Sequence, residues 1–550
     1  MKQTMNYLSM AALVVMGAIM AGCVKETPAA EEDKIVTLSV SVGLPEDEST
    51  KALNIDYVNK TVVKTFAEGE TIAVIYKSGE STLKAVSSPL PAGDYGKSAT
   101  FEVSLTSPNE NSPIRIIYPA ARAKNVKTSA TINSDDETID YSGLNSQNGT
   151  LSTLASKRYL CTFDGALSGI AMPTSASLTN RLAILAYTLF DGKGTTDKAD
   201  DESITESITK MTISDGTNDY TITGHDTDGH IYVAIRPTSA ANIVITAADA
   251  SNNYVKSLIG KTYAAGQFYN ITNRMTRLVP FTVGVKSGKK VKVVFAPGNL
   301  QATWDGSKWS WAFAANQWDY IGKAAGNTSI NGNGTVRNSN VTVDLFGWVA
   351  ESSNWKGAAQ YGISNSTDDS PSTYGHSSDD NLKSDWGNTI GSGWRTLTSL
   401  EWSYVFYSRT SGSTVNGTIN ARYTLATINT ESTGVNGLIF FSDGITVASD
   451  EATSWGIING FKDGNTWDDA TKCTSAQWTA LAAKGCVFLP AAGYRVGTEV
   501  SGDGLAGLYW SSKSGSGVYA WGLNFNEEEL TYGDYCRYAG SSVRLVREVE

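Results

Sequence analysis

Hydrophobic and polar residues alternate along much of this chain, and a period of two predicts antiparallel β-strands rather than helices. The first segment of this kind is Lys34 to Gly43, where Val36, Leu38, Val40 and Val42 share one face. Short segments of the same type recur, with turn residues between them, as far as about residue 279. This succession of short strands is typical of β-sandwich domains.

Alternation returns near the end of the sequence, where Ser542 to Arg547 is predicted to be a closing strand. A closing strand normally pairs with an earlier strand of its own domain, and Val291 to Phe295 is the candidate partner. Two short helices are expected between them. One begins at Thr398 or Ser399, which are suitable N-caps, and the other spans Ser475 to Lys484.

The amino-acid composition changes near residue 280. All 14 tryptophans lie between Trp304 and Trp521, whereas ten of the 13 prolines lie at or before Pro280. A chain of 550 residues is too long for one hydrophobic core, so several domains are expected. We place a domain boundary at residue 280 and call residues 281–550 the terminal module.

Charge and cysteine content exclude some classes of function. A net charge of −11 argues against a nucleic-acid partner, because no basic stripe is present to neutralise phosphates. The five cysteines form no CxxC pair, so a zinc site is not expected. Cys473, Cys486 and Cys536 either include one disulfide or are free, and buried free thiols are the simpler interpretation.

The N-terminal segment predicts export. A lysine at position 2 precedes the apolar run Ala11 to Met20, which is too short for a membrane-spanning helix and fits a signal peptide of residues 1–22. Small residues directly before Cys23 resemble a bacterial lipobox. This resemblance implies cleavage before Cys23, lipidation of its thiol and a membrane anchor, with residues 23–33 as a polar tether. The alternative is an ordinary signal peptide with an incidental cysteine.

Five motifs resemble, in their order, the fimbrillin family of pilus lipoproteins (Mfa-like, FimA-type). They are FAEGETIAVIY, IRIIYPA, LTNRLAILAYTL, IYVAIRP and AGQFYNITNRM, and the resemblance covers residues 34–279. It implies two transthyretin-like β-sandwich lobes, which we place at residues 34–172 and 173–280.

The same resemblance implies that a protease removes the first strand and that a neighbour's strand fills the vacated groove. A lost core strand leaves apolar surface and unpaired backbone groups, which another strand can cover. The bond between Lys51 and Ala52 lies in a polar segment just after the first strand, where this cleavage is expected. The family protease is best known for cutting after arginine, so an uncut solvated loop is the alternative. An uncut protein would be an anchor or capping subunit.

The terminal module resembles the FISUMP-type C-type-lectin-like modules, which are distant relatives of formylglycine-generating enzymes. The motifs that carry the resemblance are GWRTLTSLEW, VFLPAAGYR, GLYWSSK and SSVRLVR. It implies an α+β C-type-lectin-like domain with paired termini. The paired-cysteine copper motif of the enzymes is not matched by the cysteines here, so their activity is not expected. A lectin-like fold does not by itself establish sugar binding.

The polar stretch from residue 351 to residue 388 is the predicted ligand site. Trp355, Tyr361, Tyr374 and Trp386 lie there beside Asp and Asn residues, a combination that suits sugar stacking and hydroxyl bonding. Most other tryptophans are expected in the core, because aromatic rings dominate packing.

Acidic residues of the same stretch are candidate Ca²⁺ ligands, since this hard ion prefers oxygen. They are Asp368, Asp369, Asp379 and Asp380, followed by Asp385. No sugar-binding sequence of the calcium-dependent lectins occurs here, so solvated loop acids are the simpler interpretation and no cofactor is required.

No enzyme activity is predicted. Of the three histidines, His225 and His230 flank a turn and His376 lies in the polar stretch, so a metal cluster is not expected. No serine or cysteine has a histidine partner in its sequence context. No glycine-rich loop has the position needed to bind phosphate.

Taken together, these features predict a mainly β surface lipoprotein of the outer membrane that is a tip or accessory adhesin of a fimbrillin-type pilus. Its expected partners are other pilus subunits, joined by donor-strand exchange, and a glycan or a host or bacterial surface. The alternative is a glycan-binding outer-membrane lipoprotein that never polymerises. An anchored hydrolase would instead need two carboxylates at glycosidase distance.

Overall fold

The computed structural model describes residues 34–45, 54–56, 61–93, 95–192, 198–199, 201–306, 308–328, 341–349, 385–391, 393–430, 433–447 and 466–549. Within these ranges the chain is mainly β, with many sheets and few helices. No helix in the described part is long and apolar enough to cross a membrane. The predictions for Cys23, Lys51 and Ala52 lie outside the described residues.

In the described part of the chain, eleven strands precede residue 181 and form most of the first lobe. Two sheets, in the orders β10-β1-β6 and β11-β9-β7-β4-β5, accompany a small β2-β3 hairpin. The strands are β1 Ile35–Gly43, β2 Asn54–Asp56, β3 Thr61–Val63, β4 Ala73–Ser78, β5 Ser81–Val86, β6 Ser98–Thr106, β7 Pro113–Tyr118, β8 Ser146–Gln147, β9 Cys161–Ala166, β10 Ala176–Ser177 and β11 Thr179–Asn180.

Strand β1 has the alternating burial that its sequence predicts. Val40 and Val42 are 1% and 0% exposed, while Val36 and Leu38 are half-buried. It pairs antiparallel with β6 along all nine of its residues, and the β6 side chains opposite this face are buried too. On its other side β1 pairs with β10 only at Val42 and Gly43. The strand therefore completes a core while one backbone edge is paired over only two residues.

The second lobe is built around one large sheet. Its order is β13-β12-β19-β18-β17-β14-β15-β8, and β16 pairs with β12. The strands are β12 Ala183–Asp191, β13 Glu202–Ser203, β14 Lys210–Ser214, β15 Asp219–Ile222, β16 Ile231–Ile235, β17 Thr238–Ala248, β18 Asn253–Tyr263 and β19 Phe268–Leu278.

Short strands cross the predicted lobe boundary between residues 172 and 173. Strand β8 from the first segment pairs with β15, while β10 and β11 from the second segment pair with β1 and β9. The buried side chains of both segments also form one connected core. The lobes are thus joined by exchanged edge strands, and the boundary itself stays a prediction.

The terminal module contains several small sheets. Its strands are β20 Phe281–Lys286, β21 Lys289–Phe295, β22 Leu300–Trp304, β23 Trp309–Phe313, β24 Val341–Val343, β25 Trp394–Thr396, β26 Thr414–Val415, β27 Thr418–Ile419, β28 Tyr423–Asn429, β29 Gly434–Phe440, β30 Thr446–Val447, β31 Thr471–Thr474, β32 Val487–Pro490, β33 Tyr494–Val496, β34 Glu499–Ser501, β35 Gly507–Ser514, β36 Tyr519–Phe525, β37 Leu530–Cys536 and β38 Leu545–Glu548.

The predicted pairing of the end strands is confirmed. Strand β38 lies between β21 and β25 in a sheet of order β20-β21-β38-β25. Val294 is opposite Arg547, and Phe295 is opposite Val546. Both backbone edges of β38 are therefore used within the module.

Apolar side chains join the terminal module to the second lobe. Val244 of β17, Val255 of β18 and Leu278 of β19 belong to the same core cluster as Trp311 and Trp394 of the module. The two parts on either side of residue 280 therefore differ in composition but share a hydrophobic core.

Both predicted helices of the terminal module are confirmed. Ser399–Ser403 begins at the N-cap Thr398, and Ser475–Ala483 begins at the N-cap Thr474. Each has a capping box, in which the N-cap side chain and the third helical side chain satisfy each other's backbone N–H groups.

Other helical segments are short. In the described part of the chain, the other α-helices are Asp135–Thr138, Leu151–Thr153 and Ala325–Thr328. Single 3₁₀ turns occur at Ala120–Arg122, Ser142–Leu144, Thr205–Ser207, Trp386–Thr389 and Trp467–Asp469, and π-helical turns occur at Leu154–Arg158 and Tyr404–Ser408.

Removal of the Thr398 cap should destabilise the protein measurably. The Thr398 hydroxyl accepts a hydrogen bond from the Glu401 N–H at 3.2 Å, and Thr398→Ala leaves this donor without its cap. We expect a loss of about 1 kcal/mol in the free energy of unfolding, measured in urea. Leu400→Ala in the same helix, at a side chain that is 80% exposed, is the control and should change it by less than about 0.5 kcal/mol. Equal effects of the two changes would show that the cap is unimportant.

Candidate functional site

The structure describes only part of the predicted ligand site. Trp355, Tyr361 and Tyr374 lie outside the described residues, as do the proposed calcium ligands Asp368, Asp369, Asp379 and Asp380. These assignments stay predictions.

The exposure expected for Trp386 is wrong. Its side chain is only 1% exposed and packs in a core cluster with Ile390 and Trp394. The preceding Asp385 caps the turn: its carboxylate accepts hydrogen bonds from the Gly387 N–H at 2.7 Å and from the Thr396 N–H and hydroxyl, both at 3.0 Å. Burial raises the pKa of Asp385. Trp386 is therefore a core residue, and Asp385 caps the turn that carries it.

The cysteines and the potential metal ligands of the described chain show no sign of a reactive site. The thiols of Cys161, Cys473 and Cys486 are free and buried, and burial raises the pKa of each, to about 12, 12 and 11. Such thiols are protonated at neutral pH and are poor nucleophiles. Across the described residues there is no group of three or more His, Cys, Asp or Glu side chains placed to hold a metal ion.

An open cleft of about 1350 Å³ lies on the terminal module. Trp318 and Tyr320, both half-buried, line it. The carboxylates of Asp319 and Asp503 and the ammonium group of Lys323 belong to the same lining. A concave site with aromatic rings and a few polar groups is typical of small-molecule binding. This cleft is therefore a candidate ligand site on the described residues.

The segment that carries Trp318 is anchored at Gln317. Its amide oxygen accepts hydrogen bonds from the Phe488 N–H at 2.8 Å and from Nη1 of Arg544 at 3.2 Å. Nη2 of Arg544 also donates to the Gln317 carbonyl, at 3.2 Å. Arg544 is 1% exposed, and burial lowers its pKa to about 10. The aromatic wall is thus held on one side by a buried guanidinium.

Asp344 anchors the other side of the same segment. Its carboxylate accepts hydrogen bonds from the Ile321 N–H at 2.7 Å and from Nδ2 of Asn327 at 2.8 Å. Burial, aided by the nearby charge of Asp503, raises the pKa of Asp344 to about 6. The residues between Gln317 and Ile321 are therefore fixed at both ends before any ligand arrives.

Asp503 gives the cleft an unused acceptor. Its Oδ1 atom is buried and has no hydrogen-bond partner among the described residues. Burial, with contributions from Asp503 and Asp344, raises the pKa of Tyr320, so this hydroxyl remains a neutral donor. A buried acceptor without a partner costs free energy.

The cleft was not identified from the sequence. The signal that could have found it is the run from Ala315 to Lys323, which places Trp318 and Tyr320 among Asn, Gln, Asp and Lys residues. The stretch 351–388 contains the same mixture of rings and polar side chains.

A second, smaller cleft of about 700 Å³ lies between the second lobe and the module. Two of the cations that line it are already paired: Arg274 with Asp201 at 2.6 Å, and Arg277 with the fully buried Asp191. Both pairs lie within the second lobe, so these two guanidinium groups are already neutralised by carboxylates of their own lobe.

Comparisons with known proteins give structural similarity only. No protein-family profile matches the chain, and no curated protein is similar to it. A fimbrial assembly protein from Parabacteroides distasonis matches 48% of this chain and 96% of its own, with 12% identity and a TM-score of 0.25. A fimbrial protein from Bacteroides ovatus matches 94% of this chain and 100% of its own, with 10% identity and a TM-score of 0.22. At TM-scores this low, the similarity carries no argument about function.

The buried Arg544 should be essential for the stability of the terminal module. Arg544→Ala leaves the Asn299 side-chain oxygen and both Gln317 oxygens short of a donor, and it creates a cavity. We expect a loss of at least about 3 kcal/mol in the free energy of unfolding, measured in urea. Lys290→Ala, at an exposed cation of β21, is the control and should change it by less than about 0.5 kcal/mol. A small effect of Arg544→Ala would show that the network is dispensable.

Asp344 should make stability depend on pH in a defined window. Because its folded pKa of about 6 exceeds the unfolded value, its stabilising contribution is present below about pH 4 and is lost as pH rises through 6. The free energy of unfolding of the wild type, relative to Asp344→Asn, should increase by roughly 1 kcal/mol between pH 7.5 and pH 5. Chemical unfolding at both pH values measures this difference, with Asp468→Asn at an exposed carboxylate as the control. A difference that does not change with pH, or that falls, would contradict this assignment.

Proposed function

We propose that this protein is a cell-surface lipoprotein that is a tip or accessory adhesin subunit of a fimbrillin-type pilus. It accepts a donor strand from another subunit in place of β1 and presents the terminal module to a glycan or another surface ligand. In this proposal Cys23 carries the lipid in the precursor, and cleavage between Lys51 and Ala52 releases β1. The mature protein then belongs to the fimbrium on the outer-membrane surface.

The pairing of β1 is the observation that carries this proposal. All nine of its residues pair antiparallel with β6, and its inward face is apolar. Removal of β1 would therefore free the whole edge of β6 and uncover buried side chains, including Phe101 and Val103. An extended segment with the same alternation could restore both the hydrogen bonds and the apolar contacts.

The opposite end of the described chain supports a terminal position in the pilus. Strand β38 is paired on both edges, and its side chains Leu545 and Val546 are fully buried. A strand in this position cannot leave to fill another subunit's groove without opening the core of the module. Such a subunit can accept a donor strand but does not donate β38 to another subunit. This is the behaviour required of a tip or accessory subunit.

Mass spectrometry of the mature N-terminus tests processing in cells. We expect the protein from sheared surface appendages to begin at Ala52, because removal of β1 precedes assembly. Lys51→Ala should abolish this product and the appearance of the protein in the sheared fraction. Protein found only in membranes with a lipidated Cys23 would contradict assembly and favour the glycan-binding lipoprotein that never polymerises.

Strand replacement can be tested separately on the folded chain. After limited cleavage at Lys51 and mild denaturation to release β1, a labelled peptide of residues 34–45 should rebind stably. The same peptide with Val40→Asp should fail, because this side chain enters the core. A Ser39→Asp peptide carries the same charge on the exposed face and should still bind. Equal binding of the two altered peptides would show that no groove forms.

A further inference from the structure

We propose that the cleft lined by Trp318, Tyr320 and Asp503 binds an oligosaccharide made of neutral or amino sugars. This inference rests on one part of the proposed function, namely that the terminal module presents a ligand site. It places that site on described residues outside the polar stretch 351–388.

The aromatic wall suits the apolar face of a sugar ring. A pyranose has one face of C–H groups, and these pack on the electron-rich face of an aromatic ring. Trp318 is half-buried: it packs against the core cluster that contains Trp478 and Phe488, while it also lines the open cleft. Tyr320 is also half-buried, and it packs against Leu345. Rings supported from behind in this way are rigid platforms.

Polar groups around the wall suit sugar hydroxyls. Asp503 lines the cleft, and its carboxylate can accept a hydrogen bond from a hydroxyl or an ammonium group. The threonines at 430, 433 and 479 and the serine at 475 line the same cleft. A site with two aromatic rings and many oxygen atoms matches the alternating apolar and hydroxyl surfaces of an oligosaccharide.

The charge of the cleft selects among sugars. Asp319 and Asp503 line it, the buried carboxylate of Asp344 lies near Tyr320, and Lys323 is the only cation among the described lining residues. An excess of carboxylates repels sialic acids, uronic acids and sulfated sugars. Neutral hexoses avoid this repulsion, and a protonated amino sugar gains an ion pair.

The anchors described above prepare the wall for binding. Gln317 is held by Arg544 and the Phe488 N–H, and Ile321 is held by Asp344. Asp319 is itself fixed, because its Oδ2 atom accepts hydrogen bonds from the Asn316 N–H and side chain at 2.8 and 3.0 Å. A site that is already ordered loses little conformational entropy when a ligand binds.

A glycan array probed with the full mature chain tests the inference. The array should include neutral, amino-sugar and acidic oligosaccharides, and we expect binding to members of the first two groups. Trp318→Ala and Asp503→Asn should each weaken the best interaction by about tenfold or more, and Trp318→Phe should retain part of it. Trp521→Ala removes a half-buried tryptophan that stacks on Tyr532 outside the cleft, and it should bind as the wild type does.

Three results would overturn the inference. They are the absence of binding to every glycan, binding restricted to acidic glycans, and binding that survives both Trp318→Ala and Asp503→Asn. Thermal unfolding of each variant separates loss of the site from loss of the fold. Peptide rebinding in the β1 groove is measured independently, so failure of the cleft and failure of pilus assembly are distinguishable.

Discussion

A buried cation, Arg544, joins the closing strand of the terminal module to two distant segments. The guanidinium of Arg544 lies in the core without a carboxylate partner among the described residues, and it donates instead to Asn299 and Gln317. Burial of an ionised group is costly unless its donors are satisfied. The segments that carry Asn299 and Gln317 must therefore meet beside the closing strand β38. Arg544 thus joins three parts of the module: the last strand, the turn after β21 and the aromatic wall of the cleft.

The two outer strands of the described chain are held in opposite ways. Strand β38 is paired on both edges and directly follows the buried Arg544, whereas β1 is paired along one edge and, among the described residues, over only two residues on the other. The cost of removing a strand grows with the number of backbone and side-chain contacts that must break. The fold therefore makes β1 the strand that can be exchanged and keeps β38 in place, which is the asymmetry expected of a subunit that accepts a strand.

Aromatic residues of the module divide into two groups that the sequence does not distinguish. Trp386, in a polar stretch, turns into the core, while Trp318, which follows a strand, faces an open cleft. Local composition shows which types of side chain a segment contains. Whether a given side chain is buried depends on segments that are distant in the sequence and pack against it. Asp385 illustrates this, because its capping bonds to Thr396 turn the neighbouring Trp386 inward.

Local patterns in the sequence were sufficient for much of the fold. The alternation in β1 and the helices that begin at Thr398 and Thr474 could be predicted, because each follows from short-range periodicity or capping chemistry. The pairing of the end strands was predicted on a different ground, because a closing strand normally pairs with an earlier strand of its own domain. Only the tertiary structure decided that β8, β10 and β11 cross the lobe boundary, that Trp386 is buried and that Asp503 meets Tyr320 in a cleft. These features depend on contacts between residues distant in sequence, and no local period or motif encodes which distant segments will meet.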